Sequence, residues 1–197
     1  MNCFSLGCLV MASGQSKRFG SNKLLAPFGD VCLLEYTLSH IPIHLFQKCV
    51  VVTRSKICCS IAENCGFDAI FHSLPYRSDT LRLGIEQMQG LDGCLVVQAD
   101  QPLCSQQSYI ALIHAFQNNP TNFFRLGWQN ISASPVLFPA LSFDALCSLP
   151  QKSGGAAALP KDPSKITVVS ALSPWELQDV DTLDDLQKLL QIAKEQF

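Results

Sequence analysis

Short apolar runs alternate with longer stretches of helical periodicity along almost the whole chain, and no other feature restricts the fold as much. Runs of strand length occur at Cys8–Ala12, Cys49–Arg54, Ala69–His72, Gly93–Ala99, Phe123–Trp128, Pro135–Phe138 and Ile166–Val169. Helical patterns fall between and after them, at Leu33–His40, Lys56–Asn64, Asp79–Met88, Gln106–Gln117, Phe143–Ser148 and Leu183–Gln196. Repeated strand–helix order predicts a mostly parallel, Rossmann-like sheet with helices on both faces, a three-layer α/β/α fold. The 197 residues suit one such domain, spanning 1–197. In the last helical pattern Leu183, Leu186, Leu189, Leu190 and Ala193 share a face. Thr182 supplies its N-cap, and Asp184 and Asp185 match the positive end of the helix dipole.

With a net charge of −2, the chain has no overall pull toward nucleic acid. Its cations are placed rather than plentiful, with Lys17, Arg18 and Lys23 together after the first apolar run. Ten cysteines are spread along the sequence without one Cys-x-x-Cys pair, the spacing that zinc and redox sites use. Several, such as Cys49 and Cys94, stand in apolar runs and read as small packing residues, which implies a reducing, cytoplasmic setting. Phe4–Met11 is too short to span a membrane and no Lys or Arg precedes it, so it reads as the first strand.

In open parallel sheets, ligands bind beyond the carboxyl ends of the strands. Three features fall there. After the first strand, Ala12-Ser13-Gly14-Gln15-Ser16-Lys17-Arg18-Phe19-Gly20-Ser21-Asn22-Lys23 forms a small-residue loop carrying fixed cations. Exposed backbone N–H groups with Arg and Lys are suited to a polyphosphate. The loop is neither a Walker loop nor a Gly-x-Gly-x-x-Gly fingerprint, and a plain turn with solvated cations would have the same composition. After the fourth strand comes Asp100-Gln101-Pro102. That acid is either a cap for the next helix or a ligand for a hard divalent ion. Arg77-Ser78-Asp79-Thr80-Leu81-Arg82 opens a helix, with Ser78 or Asp79 as cap and Arg82 free for solvent or for a phosphate.

Ahead of the last helix, Asp179-Val180-Asp181 holds two carboxylates two residues apart, which an extended backbone points the same way. They serve a metal or a local turn. The histidines at 40, 44, 72 and 114 show no metal spacing, and no triad or Cys–His pair is signalled. The irregular stretches 127–134 and 151–165 are the longest, a common property of substrate-binding loops.

With these residues in view, the chain resembles the molybdenum-cofactor nucleotidyltransferase-like family, which includes molybdopterin cytidylyltransferases and guanylyltransferases. Residues 12–23 match its opening Ala-Ala-Gly-x-Ser-x-Arg-Phe/Met-Gly-x-x-Lys. Ala99-Asp100-Gln101-Pro102 matches its Gly-Asp-x-Pro, and residues 179–186 its closing Asp-Ile/Val-Asp-Thr-Pro-x-Asp-Leu. Pro135–Pro139 is similar to the segment ahead of its substrate loop. Ser13, Ala99 and Leu183 depart from the pattern. So do Ser132-Ala133-Ser134, where the family has Gly-His or Gly-Asn, and Gln151–Ala158, which lacks the family's acid and Arg.

The resemblance implies the nucleotide-diphospho-sugar transferase type of fold and a Mg²⁺-dependent transfer. An acceptor phosphate attacks the α-phosphorus of a nucleoside triphosphate and pyrophosphate leaves. It assigns Lys23 to the α-phosphate and acceptor side, and Arg18 with the Ser13–Gly14 amides to the leaving phosphates. Ala12, Thr80 and Arg82 join the nucleotide site. Asp100 and Asp181 hold Mg²⁺, with Asp179 as the alternative ligand. A side chain at Ser13, where the guanosine pattern has glycine, favours CTP over GTP. The implied acceptor is of the molybdopterin type and the implied partner a molybdenum hydroxylase. Two other readings remain: a cytidylyltransferase for a sugar, polyol or choline phosphate, and a non-catalytic carrier of cofactor to a hydroxylase.

Overall fold

The computed structural model describes residues 4–196. The packing expected of Cys3 and the two ends of the 1–197 domain lie outside the described residues. At the centre runs β1 (Leu6–Ala12), paired in parallel with β4 (Lys48–Thr53) on one side and β6 (Gly93–Gln98) on the other. All seven of its residues are buried, as befits a strand covered on both faces. Continuing outward, the sheet has the order β5 (Asp68–Phe71), β4, β1, β6, β8 (Ile131–Pro139), β7 (Phe123–Trp128), β9 (Ile166–Ser170). β8 alone runs against the others, antiparallel to both β6 and β7.

The period of two sorts β1 between two cores. Leu6, Cys8, Val10 and Ala12 pack with α1 (Leu33–Ser39), α2 (Lys56–Asn64), α4 (Gln106–Asn118) and α6 (Leu183–Gln196). Leu9 and Met11 face the opposite layer, against Leu81 and Ile85 of α3 (Arg77–Ile85) and Phe143 and Leu146 of α5 (Phe143–Cys147). α3 comes close to β1 because Gly84 has no side chain; a Cβ there would collide with Leu9. The mostly parallel, three-layer α/β/α arrangement is the one the alternation demands.

The structure departs from expectation in details. α3 begins at Arg77, two residues early, with Tyr76 as its N-cap. Asp79 reaches back to accept the Tyr76 N–H at 3.0 Å, so it stabilises the start from inside the helix rather than capping it. The stretch 127–134 is a hairpin, not an open loop: Trp128 pairs with Ile131 across a turn in which Gln129 has φ 53°. Leu183 is 57% exposed, whereas Leu186, Leu189 and Ala193 are buried. It is the first residue of α6, ahead of the turns that dock. A small hairpin of β2 (Pro27–Phe28) and β3 (Val31–Cys32) is too short to carry a periodic signal. The nine described cysteines are free thiols, and burial raises the pKa of Cys8, Cys94 and Cys104. Among the described residues, no helix is long and apolar enough to cross a membrane.

One buried acid fixes the segment that leads into α6. Glu176, 2% exposed, accepts from the Ser105 N–H at 3.0 Å, the Ser108 hydroxyl at 2.7 Å and the Leu172 N–H at 2.8 Å. It therefore lies at the N-terminus of α4, where the helix dipole favours a carboxylate, and ties residues 172–176 to that helix. Removing it strands three donors. Glu176→Ala is expected to lower stability by about 3 kcal/mol, and Glu176→Gln by less, in urea unfolding read by tryptophan fluorescence.

Candidate active site

The loop after β1 is folded by its own backbone. The Ser16 carbonyl accepts from Phe19 N–H at 3.0 Å and Gly20 N–H at 3.2 Å, and Gly20 takes φ 83°, a left-handed conformation that suits glycine. Phe19, 9% exposed, roots the turn in the core. Asn22 then caps a short 3₁₀ turn, Lys23–Leu25, by accepting the Leu24 N–H at 3.2 Å. With Leu24 buried, the turn directs Lys23 inward, across the end of the sheet.

There the Lys23 ammonium lies 2.6 Å from Asp100 Oδ2 and 3.1 Å from Asp181 Oδ1. Its side chain is only 7% exposed. Asp100 follows β6 and Asp181 precedes α6; the Val180 N–H donates to the Asp100 carbonyl at 2.8 Å, and the buried Val180 side chain anchors the pair. Burial alone would lower the Lys23 pKa, but Asp100 and then Asp181 hold it above the usual lysine value. Arg18 closes the group from the rim, its Nη2 at 2.6 Å from Asp181 Oδ2 with the side chain 70% exposed. Such a solvated pair is worth little, so the guanidinium is free to exchange onto another anion. The Asp179 carboxyl is pushed up to about 6, first by lost solvation and then by the Asp100 and Asp181 carboxylates.

Two cavities adjoin at this point. One of about 380 Å³ is lined by Gly14, Arg18, Lys23, Asp100, Asp179 and Asp181. The other, about 540 Å³, is bordered by Ser13, Gly14, Arg54, Tyr76, Arg77 and Thr80. Ala12, the last residue of β1, is buried beneath the loop, and its carbonyl accepts the Thr53 hydroxyl at 2.9 Å. Arg82 is turned elsewhere: it pairs with Glu86 at 2.8 Å, four residues on along the helix, and lines neither cavity. Arg77, the first residue of α3, lines both. Sequence reasoning passed over Arg54, His72, Arg77 and Gln98. All of them lie at a strand's carboxyl end or in the first turn beyond it, so position was the available signal.

His72 shows how the larger cavity is held. Ser13 Oγ donates to the Val52 carbonyl at 3.0 Å, so its 2.8 Å contact with His72 Nε2 is one it accepts. The same Nε2–H stands 3.2 Å from Thr80 Oγ1, which leaves Nδ1 buried without a partner. The ring is therefore a neutral bridge between the loop after β1 and α3. Its pKa is lowered by burial and then by Arg54, with Asp79 opposing. A histidine whose native pKa lies below its unfolded value of 6.5 adds stability above that pH and loses it as pH falls through the native value. The advantage in melting temperature of the native chain over His72→Gln should therefore shrink as pH is lowered from 7.5 to about 5.

The donor set also bears on a metal. Among the described residues, no cluster of three or more His, Cys, Asp and Glu forms a ready-made cage. Yet Asp100 and Asp181 are already arranged around one cation, the Lys23 ammonium, and Asp179 lines the same cavity. Hard carboxylate oxygens beside an open cavity fit a divalent ion whose remaining ligands come from phosphates and water.

Comparison with known proteins bears on the fold and the family. A homologue of Mycobacterium tuberculosis Rv0371c from Mycobacterium sp. strain JC1 superposes with a TM-score of 0.80 at 22% identity, covering 98% of each chain. Rv0371c of M. tuberculosis H37Rv, crystallised as a complex with manganese, superposes at 0.73 with 21% identity, over 95% of this chain and 98% of that one. The synthetase named CMP:2-keto-3-deoxy-manno-octonic acid synthetase, solved with CTP, shares the fold at a TM-score of 0.71 and 13% identity, covering 98% of this chain and 100% of its own. No curated protein matches the chain in sequence. The family model for the MobA-like NTP transferase domain matches residues 8–166, from the first strand to the start of β9, and the chain belongs to that family.

Proposed function

We propose that residues 1–197 form one cytoplasmic nucleotidyltransferase domain that moves CMP from CTP to a phosphate acceptor of the molybdopterin type, releasing pyrophosphate. The observation that carries this reading is the buried Lys23 ammonium shared by Asp100 and Asp181 at the mouth of a small-residue loop. A phosphate-binding cation and a metal-binding carboxylate pair occupy one point, as nucleotidyl transfer requires and a passive carrier does not.

The triphosphate lies along the cavity of about 380 Å³, and the base and ribose take the larger one of about 540 Å³. Backbone amides of Ser13 and Gly14 and the mobile charge of Arg18 meet the leaving phosphates. Lys23 neutralises the charge that builds on the α-phosphoryl oxygens as the acceptor attacks. Asp100 and Asp181, with Asp179 beside them, would hold Mg²⁺, which when bound supplies Lewis-acid stabilisation of the phosphates. Thr80 borders the nucleotide. The Ser13 hydroxyl is committed to Val52 and His72, so position 13 discriminates by bulk rather than by hydrogen bonding. That bulk favours cytosine over guanine. A molybdenum hydroxylase that receives the cofactor is the partner this reading implies.

The test is pyrophosphate release by purified protein with Mg²⁺, molybdopterin-molybdenum cofactor, and CTP, GTP or ATP in turn. Release with CTP alone is expected. Release with GTP instead would keep the mechanism and remove the role given to Ser13. Asp100→Asn and Lys23→Ala are each expected to reduce turnover by roughly 10²–10³-fold while the circular dichroism spectrum persists. A carrier would retain its support of an apo-hydroxylase in Asp100→Asn.

A further inference from the structure

On the face of the sheet covered by α1 and α4, a cavity of about 400 Å³ lies between those helices and the turn that carries Glu176. It shares no lining residue with the cavities of about 380 and 540 Å³. Those two, and a third of about 120 Å³ lined by Arg77 of α3 and Arg125 of β7, all contain Lys or Arg. The cavity beside α1 contains neither, so an anion has no fixed cation to meet there.

One wall is aromatic. Tyr36 of α1 and His40 at its end present rings whose centroids are 4.8 Å apart at 43°. Phe28 braces Tyr36 edge to face at 4.6 Å. The His40 Nδ1–H donates to the Tyr36 carbonyl at 2.8 Å, which fixes the orientation of the imidazole. Burial raises the Tyr36 pKa, so this ring keeps a neutral hydroxyl. Leu103 and Leu172 add apolar surface. The acid of the cavity is Glu176, 2% exposed. A carboxylate has about four acceptor positions, and the Ser105 N–H, the Ser108 hydroxyl and the Leu172 N–H occupy three of them. Two of those donors meet Oε2, so Oε1 keeps a position open. Among the described residues Glu176 forms no ion pair, and the dipoles at the start of α4 are what offsets its charge.

A carboxylate with an open acceptor position, beside two π faces and apolar surface, is a setting in which a cation gains from every wall. One open position suits a single N–H of an ammonium, whereas the planar fork of a guanidinium calls for two. The volume falls within the range of small-molecule sites. We propose that this cavity binds a small primary alkylammonium, with its charged end between Glu176 and the Tyr36–His40 rings and its chain on Leu103 and Leu172. The site is independent of the nucleotidyltransferase reading. Its occupant nonetheless bears on the acids at the end of the sheet. The turn at 172–176 runs on into Asp179–Asp181, and between them the Leu177 carbonyl accepts from Gln101 Nε2 at 3.4 Å. A bound ammonium rests on the segment that places those acids.

Protein-observed NMR titration of the full chain tests this, with n-butylammonium chloride, n-butanol and sodium butyrate as probes. Butylammonium is expected to bind about tenfold or more tightly than butanol, and butyrate to leave the spectrum unchanged at the same concentrations. Glu176→Gln, which removes the charge and keeps the shape, should erase the advantage of the ammonium over the alcohol. Tyr36→Leu should weaken butylammonium about fivefold. Ser173→Lys sets a tethered ammonium at the cavity and should abolish binding. The Ser173 side chain makes no cap hydrogen bond, so this variant keeps the fold if the other two lose it. Arg82→Gln, outside the cavity, should match the native chain. Butylammonium bound no more tightly than butanol by the native chain overturns the proposal, and so does an affinity that Ser173→Lys leaves unchanged.

Discussion

One buried ammonium shared by two carboxylates from distant parts of the chain organises the end of this sheet. Lys23 comes from the loop after β1, Asp100 from the end of β6 and Asp181 from the start of α6, so the contact joins the first, middle and last parts of the fold. Its strength depends on burial. At 7% exposure, the lysine interacts with the acids through little water, whereas the Arg18–Asp181 pair at the rim is largely solvated. The contrast separates a fixed cation from an exchangeable one, and a site that binds polyphosphate and releases pyrophosphate uses both.

The rest of the structure brings these groups to one place. A strand buried on both faces delivers the loop at its carboxyl end, and two helical layers hold the strand in register. Glu176 fixes the approach to Asp179–Asp181 by satisfying the N-terminus of α4, and His72 fixes the opposite wall by joining Ser13 to Thr80. Neither residue needs to touch a substrate to matter. Each converts a flexible connection into a wall of fixed position, and a nucleotide gains affinity from such preorganisation.

The cavities at this end of the sheet differ in the charge of their walls. Around Lys23 four cations and three acids line one cavity, a mixture that suits phosphates arriving with a divalent ion. The walls around Arg125, by contrast, include no acid.

Strand and helix order was legible in the sequence because burial on both faces turns a strand into an unbroken apolar run, and Cys94–Val97 or Cys49–Val52 cannot be read otherwise. The loop at 12–23 and the acids at 100, 179 and 181 were legible as candidates from their residue types and places, although a plain turn or a helix cap uses the same residues. The hairpin at 123–139 was half missed, since Ser132-Ala133-Ser134 has neither the bulk nor the alternation of a strand and is held by pairing with β7. Side-chain direction was decided only by tertiary structure. Arg82 and Arg77 look equivalent in sequence, but the helix phase turns one toward Glu86 and the other into the cavities. Arg125 carries no local signal, because its direction depends on how β7 pairs with β8, and His72 offers only its place just after β5. Local periodicity thus determined the layers and the ends at which chemistry gathers. Packing across those layers alone decided which charges meet, since separations of 62 to 158 residues, as in Thr37–Ala99 and Lys23–Asp181, are closed only by the finished fold.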